Sequence, residues 1–203
     1  MRRIIGILPL VFLLQGIPAI AQESDSPNPI DRVVAARLMS PYPDGEFRPE
    51  RVLSRAELAS ILVRTFNLEN RRASQREPIA TQDVPPSHWA YNDIQLVLKN
   101  NIMMGYREGR FFPNQRVTRA EAFSIFAQAY GVFQFPEETV AELLSPYPDS
   151  DRIPEWARKP MATALYENFV NLDERDRINP LEPMTRGDMA YALSQYLEQK
   201  AGP

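Results

Sequence analysis

Cysteine is absent from the 203 residues and histidine occurs once, as His88. The first absence excludes disulfide scaffolds, thiolate metal sites, cysteine nucleophiles and lipid attachment through a thiol; the second leaves little for imidazole catalysis or metal binding. No cofactor is expected. A large excess of one charge is missing too, with 23 basic against 26 acidic side chains, so binding nucleic acid by bulk charge is excluded. Glycine is scarce, 8 against 19 prolines, which implies stiff connections and helices that are stopped often. What is present, 44% hydrophobic and 24% charged residues, is enough to build a core.

Arg2 and Arg3 precede an apolar run from Ile4 to Leu14, Gly16 and Pro18 break it, and Ala19-Ile20-Ala21 has the small-x-small pattern that a signal peptidase reads. Residues 1–21 are therefore expected to be a cleaved signal peptide. The competing reading, a membrane anchor, meets a run about half of the ~20 residues needed to span hydrocarbon. The expected mature chain is soluble, lacks a transmembrane span and is exported, to the periplasm or to the cell wall or surface.

One unit recurs three times. Val52-Leu53-Ser54-Arg55-Ala56-Glu57-Leu58 matches Arg116-Val117-Thr118-Arg119-Ala120-Glu121-Ala122 and Pro183-Met184-Thr185-Arg186-Gly187-Asp188-Met189. Upstream, Tyr42-x-Asp44-Gly45-x-Phe47-x-Pro49 lies over Tyr106-x-Glu108-Gly109-x-Phe111-x-Pro113, of which the third copy keeps Ile178 and Pro180. Asp83 with His88-Trp89-Ala90 lies over Asp149 with Glu155-Trp156-Ala157, and the first copy has no such tryptophan. The units are placed at 22–67, 81–131 and 147–200, separated by linkers at 68–80 and 132–146. No room is left for a separate catalytic domain.

Each unit reads as helix, loop, helix. Ser54, Thr118 and Thr185 are N-cap residues with Glu57, Glu121 and Asp188 three later, the spacing of a capping box; the shorter Asp188 predicts a weaker one. Apolar residues then recur at helical spacing, as in Leu58, Ile61, Leu62, Thr65 and Phe66. First helices are expected over 29–39, 88–103 and 154–170, and a short extra helix over 135–144. Apolar and polar residues never alternate long enough for a sheet, so the fold class is all-α.

The succession Asp83-Val84-Pro85, His88-Trp89-Ala90, Gly105-Tyr106, Gly109-x-Phe111-x-Pro113 and Val117-Thr118-Arg119-Ala120-Glu121 closely resembles the S-layer homology repeat. The resemblance covers essentially the whole mature chain as three copies. It implies a pseudo-threefold single domain whose inter-repeat grooves bind cell-wall glycan, anchoring exported proteins without covalent bonds to peptidoglycan-linked, often pyruvylated, polysaccharide. Copy one lacks the Asp and Trp opening and copy three lacks the glycine turn, so only one or two grooves are expected to be competent. The motif positions that this implies for ligand binding include Asp83, Trp89, Gly105 and Trp156.

Arg55, Arg119 and Arg186 all fall at the first position of a helix, where a cation opposes the macrodipole, so each calls for a compensating partner. Either they form anion sites with the helix N-terminus, for a carboxylate or phosphate, or they pair with acids of a neighbouring repeat and fix packing. Copy two keeps the fullest motif, which puts Arg119 first among them as a ligand contact and makes Thr118, as a cap, matter more than Arg119 for stability. Trp89 and Trp156 are either sugar platforms or core. Asp83 and Asp149 either accept sugar hydroxyls or bond nearby backbone, and His88 reads as a surface or capping residue. An enzyme using two carboxylates finds no support, because the recurrent acids are explained as caps. The remaining alternative is a structural envelope protein that recruits another protein, its glycan site vestigial.

Overall fold

Ser54, Thr118 and Thr185 each accept a hydrogen bond from the backbone N–H three residues on, and Glu57, Glu121 and Asp188 each accept one back from the cap's own N–H. All three boxes close. Asp188 does so as fully as the glutamates, its Oδ2 lying 2.9 Å from the Thr185 nitrogen, so the expected weakness is not seen. In this computed structural model, which describes residues 28–202, the helices are α1 (Pro29–Ala35), α2 (Arg55–Phe66), α3 (Tyr91–Lys99), α4 (Arg119–Tyr130), α5 (Glu137–Leu144), α6 (Arg158–Tyr166) and α7 (Arg186–Ala201). The described residues form no sheet, only isolated bridges, so the fold is all-α. The expected signal peptide lies outside the described residues.

The opening helices are shorter than the expected spans. Arg37, Asn101 and Asn168, at equivalent places in the three repeats, take φ of 59°, 55° and 57°, a left-handed step that ends each helix early. At the other end, His88 accepts the Ala90 N–H through Nδ1 and acts as a local cap, so the regular helix starts only at Tyr91. The extra helix expected at 135–144 is present as α5, while 68–80 carries two short 3-10 turns, Leu68–Asn70 and Arg72–Gln75.

The repeats are joined in a closed ring. The Leu53 N–H donates to Met184 O, the Met184 N–H to Val117 O, and the Val117 N–H to Leu53 O, at 2.9, 2.9 and 3.3 Å. These three bonds surround a pseudo-threefold axis along which α2, α4 and α7 descend. Around them each opening helix packs on the closing helix of the preceding repeat: α3 on α2, α6 on α4, α1 on α7. An ion pair between Arg32 and Glu198 adds to the last of these contacts. The core is continuous, running from Leu53, Val117 and Met184 on the axis to Phe123, Phe126 and Phe169.

Because the packing is between repeats, a lone copy has nothing to fold against. In a fragment of residues 83–131, α3 loses α2 and α4 loses α6, and a helix of nine or twelve residues is marginal in water without tertiary support. Such a fragment is expected to show little helix by circular dichroism; a cooperative melt would contradict the shared core.

Candidate functional site

Each of the three arginines reaches across a repeat boundary in the same cyclic sense. Arg55 in repeat one donates from Nε to Phe111 O and from one terminal nitrogen to Met104 O, both at 2.8 Å, in the loop of repeat two. Arg186 in repeat three donates likewise to Phe47 O and Ser40 O, at 2.9 and 2.7 Å, in the loop of repeat one. Arg119 in repeat two donates from Nε to Ile178 O at 2.7 Å and from a terminal nitrogen to Asn171 O in the loop of repeat three. All three are buried, at 6%, 8% and 5% exposure. The compensating partners that the helix position demanded are thus loop carbonyls, reinforced among the described residues by an ion-paired acid only at Arg119.

The helix N-termini themselves are not open to a ligand. Their first two amides donate to the neighbouring loop: Arg55 and Ala56 to Gln115 O and Pro113 O, Arg119 and Ala120 to Glu182 O and Pro180 O, Arg186 and Gly187 to Arg51 O and Pro49 O. The capping box takes the third. Of the two readings the sequence left open, the anion site formed jointly by helix end and arginine thus loses its helix end, and the guanidinium edge remains available.

The three grooves differ in that edge. In Arg55 and Arg186 the second terminal nitrogen makes no hydrogen bond or ion pair among the described residues. Burial pushes both guanidinium pKa values below their ordinary value, with only partial relief from the hydroxyl of Tyr106 or Tyr42 and more distant acids. In Arg119 the corresponding nitrogen is occupied, at 2.7 Å from Asp188 Oδ1 and 3.1 Å from Asn171 Oδ1. Tyr106 and Tyr42 lie under the guanidinium groups of Arg55 and Arg186, at 4.8 and 4.9 Å from ring centroid; the equivalent residue in the third loop is Asp173, turned onto Arg177 and Asn179.

The walls follow the same division. The Arg186 groove is lined by Ser40, Ser60, Arg64 and Trp89, and beyond Trp89 it continues into a polar hollow with Arg51, Asn114 and Arg116. The Arg55 groove, about 370 Å³, is lined by Met104, Gly105, Tyr106, Ser124, Gln128 and Trp156. Trp89 and Trp156 are 64% and 60% exposed, which rules out the core reading for both. The Arg119 groove is lined by Asn171, Asp173, Glu182 and Asp188 and by no tryptophan among the described residues.

Two buried hydroxyls mark the first two grooves. Ser124 Oγ, on the wall of the Arg55 groove, has no hydrogen-bond partner among the described residues, whereas its counterpart Ser60 donates to Asp93. Pro160 stands where Asp93 would be, which removes the acceptor. Tyr42 Oη, in the ring beneath Arg186, is also buried and meets no hydrogen-bond partner within bonding geometry among the described residues, and the same ring lies 4.7 and 5.5 Å from the guanidinium groups of Arg48 and Arg51.

Of the two readings open for Asp83, the structure shows the backbone one, at residues distant in the chain. Its two oxygens accept from the Phe111 and Phe112 N–H groups at 2.8 and 2.7 Å, and Asp149 does the same for Ile178 and Asn179. Both carboxylates anchor the loop that the arginine of the preceding repeat grips, so Asp83 serves the groove by positioning Phe111 O. Gly105 does face the Arg55 groove, and a Cβ there would meet Arg110 O at 3.1 Å, which explains the glycine. Sequence reasoning missed Ser124, Arg51, Arg64 and Arg116; the Tyr42 and Tyr106 match was visible but pointed only to a turn.

Two of the carboxylates in this ring make stability depend on acid. Burial acts to raise the Asp188 and Glu57 pKa values, but for Asp188 the Arg119 charge with the Asn171 and Thr185 bonds, and for Glu57 the Ser54 bonds with Arg51, hold the net value below the ordinary 3.8 and 4.5. A depressed carboxylate stabilises the fold above its unfolded pKa and loses that contribution as pH falls through the folded one. Thermal melts are expected to be flat with pH above about 5 and to drop below about pH 4. Asp188→Asn should flatten part of that drop.

The comparisons agree with this architecture. The S-layer homology domain profile matches residues 21–59, 82–123 and 146–190. The chain is 26% identical over 167 residues to the cellulosome-anchoring protein of Acetivibrio thermocellus, covering 81% of this chain and 36% of that protein. It is 27% identical over 172 residues to the surface-layer 125 kDa protein of Lysinibacillus sphaericus, covering 83% and 14%. It is 25% identical over 171 residues to the amylopullulanase of Thermoanaerobacterium thermosulfurigenes, covering 84% and 9%, so the likeness to that enzyme involves a small part of it. With its three profile matches falling on the three interlocked units, this chain belongs to the S-layer homology domain family.

Proposed function

We propose that the protein is an exported, non-catalytic module that binds cell-wall polysaccharide attached to peptidoglycan, and that it does so through the Arg186 and Arg55 grooves. The observation that carries this reading is the pair of buried guanidinium groups, each fixed by two loop carbonyls and each left with one unoccupied terminal nitrogen at a groove. A guanidinium so held loses little further entropy on meeting an anion, and burial without a carboxylate partner gives it reason to take one. A pyruvyl carboxylate fits this requirement. Trp89 and Trp156 offer exposed indole faces to a sugar ring in the same grooves, and Ser124 Oγ can exchange a hydrogen bond with a sugar hydroxyl. The Arg119 groove has its anion built in, as Asp188.

Two of its relatives, a cellulosome-anchoring protein and a surface-layer protein, support attachment at the envelope. The test is co-sedimentation with purified wall sacculi before and after hydrofluoric acid removes the attached polymer. Binding that disappears with the polymer is expected. Retention that survives stripping would refute the polysaccharide reading and turn attention to bare peptidoglycan or to a recruited envelope protein.

A further inference from the structure

The Arg186 and Arg55 grooves are built from equivalent residues, and at three places the equivalence breaks in one chemical direction. Repeat register sets Ser40, Ser60, Arg64, Trp89 and Asp93 of the first groove over Met104, Ser124, Gln128, Trp156 and Pro160 of the second. The guanidinium, the inner serine and the indole are kept. Ser40, Arg64 and Asp93 give way to a thioether, a neutral amide and a proline, so the second groove loses two charges and a hydroxyl and gains apolar wall.

The gained wall is open to a ligand. Met104 is 78% exposed, whereas the other described methionines are at most 2% exposed. With Tyr106 and Trp156 it puts three exposed large apolar side chains on the Arg55 groove, against Trp89 alone among the described residues that line the Arg186 groove. A flexible, polarisable thioether beside an indole is a surface for methyl groups. The two serines differ in what they offer. Ser60 Oγ gives its proton to Asp93, so toward a ligand it can only accept. Ser124 is 6% exposed and its Oγ has no partner among the described residues, Pro160 standing in the acceptor's place, so its proton is free to be donated. An acyl carbonyl supplies the missing acceptor, and the methyl that an acyl group carries suits the Met104 wall.

We propose that the two grooves take chemically different units of the wall polymer, and that Met104, Gln128 and Pro160 set the difference. The Arg55 groove takes a sugar that carries one carboxylate and, beside it, methyl-bearing acyl or ether substituents. The Arg186 groove takes a carboxylate sugar whose other substituents are hydroxyls, for which Ser60 and Asp93 accept and Arg64 donates. This rests on the glycan-binding function proposed for these grooves, each carboxylate going to the unoccupied nitrogen of Arg55 or Arg186. Attachment through both grooves at once then demands a polymer that contains both units.

The chain has two tryptophans, one in each groove. Trp89→Phe therefore leaves Trp156 as the fluorescence reporter of the Arg55 groove, and Trp156→Phe leaves Trp89 as that of the Arg186 groove. Each variant of the full mature chain is titrated with glucuronate and with N-acetylmuramate, two singly charged sugar acids of which the second carries an acetyl and a lactyl methyl. The Arg55 groove is expected to bind N-acetylmuramate about tenfold more tightly than glucuronate, two methyl groups being buried, and the Arg186 groove to favour glucuronate. In the Trp89→Phe chain, Met104→Ser should lower the ratio about threefold with the melt unchanged, since the side chain is exposed. The triple replacement Met104→Ser/Gln128→Arg/Pro160→Asp, shown folded by its melt, should bring the ratio to that of the Arg186 groove. The inference is overturned if the two reporters give the same order of preference, or if Met104→Ser and the folded triple variant both keep the original ratio. Silence of both reporters toward both sugar acids would overturn it together with the carboxylate-binding function on which it rests, whereas equal preference at two responding grooves would overturn it alone.

Discussion

Arg119→Ala is expected to destabilise the domain by about 3–5 kcal/mol, the usual result of removing one partner from a buried ion pair, and to leave wall binding by the folded protein unchanged. Arg119 holds Ile178 O, Asn171 O, Asn171 Oδ1 and Asp188 Oδ1 together across the boundary between repeats two and three. Its loss frees two loop carbonyls and strands a carboxylate that is mostly enclosed. Thr118→Ala removes one cap bond and should cost about 1 kcal/mol. This order reverses the one expected from the sequence, where the cap ranks above the arginine. Denaturant titration of the two variants decides it: a Thr118→Ala cost at or above that of Arg119→Ala would mean that the Arg119 network is solvated and loose.

The reversal shows where sequence reasoning stops. Repeats, caps and apolar periodicity are local patterns, and each appears in the structure at the residues that carry it: three closed capping boxes, the apolar residues Leu53 and Met184 just before their caps on the axis, the stripe from Leu58 to Phe66 on α2. A departure such as Gly187, by contrast, has its cause in another repeat, since a Cβ there would meet Pro49 of repeat one at 3.2 Å. What no pattern conveys is which repeat an arginine reaches. Motif completeness favours Arg119 because Trp89, Gly105 and Tyr106 lie in the same stretch of chain. In space the cyclic exchange separates them: Trp89 stands in the Arg186 groove, Gly105 and Tyr106 in the Arg55 groove, and Arg119 faces the divergent third loop with Asn171 and Asp173. The loss of the glycine turn in copy three thus acts on the arginine of copy two. The orphaned Ser124 Oγ has the same origin, because the residue that fails it, Pro160, belongs to the next repeat.

Binding should follow the spatial grouping. Arg55→Ala/Arg186→Ala is expected to reduce retention on sacculi by about a hundredfold or more, each single variant by about tenfold to a hundredfold, because each removes a charge-assisted bond of roughly 1.5–3 kcal/mol. The variants also lose carbonyl contacts, so a destabilised fold could imitate lost binding; Arg→Lys separates the two. An ammonium keeps the charge and can reach one carbonyl, but it cannot hold two carbonyls and present a third donor to a ligand, so binding should recover only in part. Trp89→Ala and Trp156→Ala supply a second control, since both side chains are largely exposed and their loss should leave the melt nearly unchanged while weakening retention. The two grooves are also unequal. Around Arg186 lie Arg51, Arg64 and Arg116, with only Glu57 among the described lining acids, whereas the described residues that line the Arg55 groove include no second charged side chain. Rising salt should therefore weaken the Arg55→Ala variant, which retains the Arg186 groove, more steeply than the Arg186→Ala variant. If Arg119→Ala proves the most damaging to retention while its melt stays intact, the ligand is bound at the third groove and the assignment of the other two is wrong.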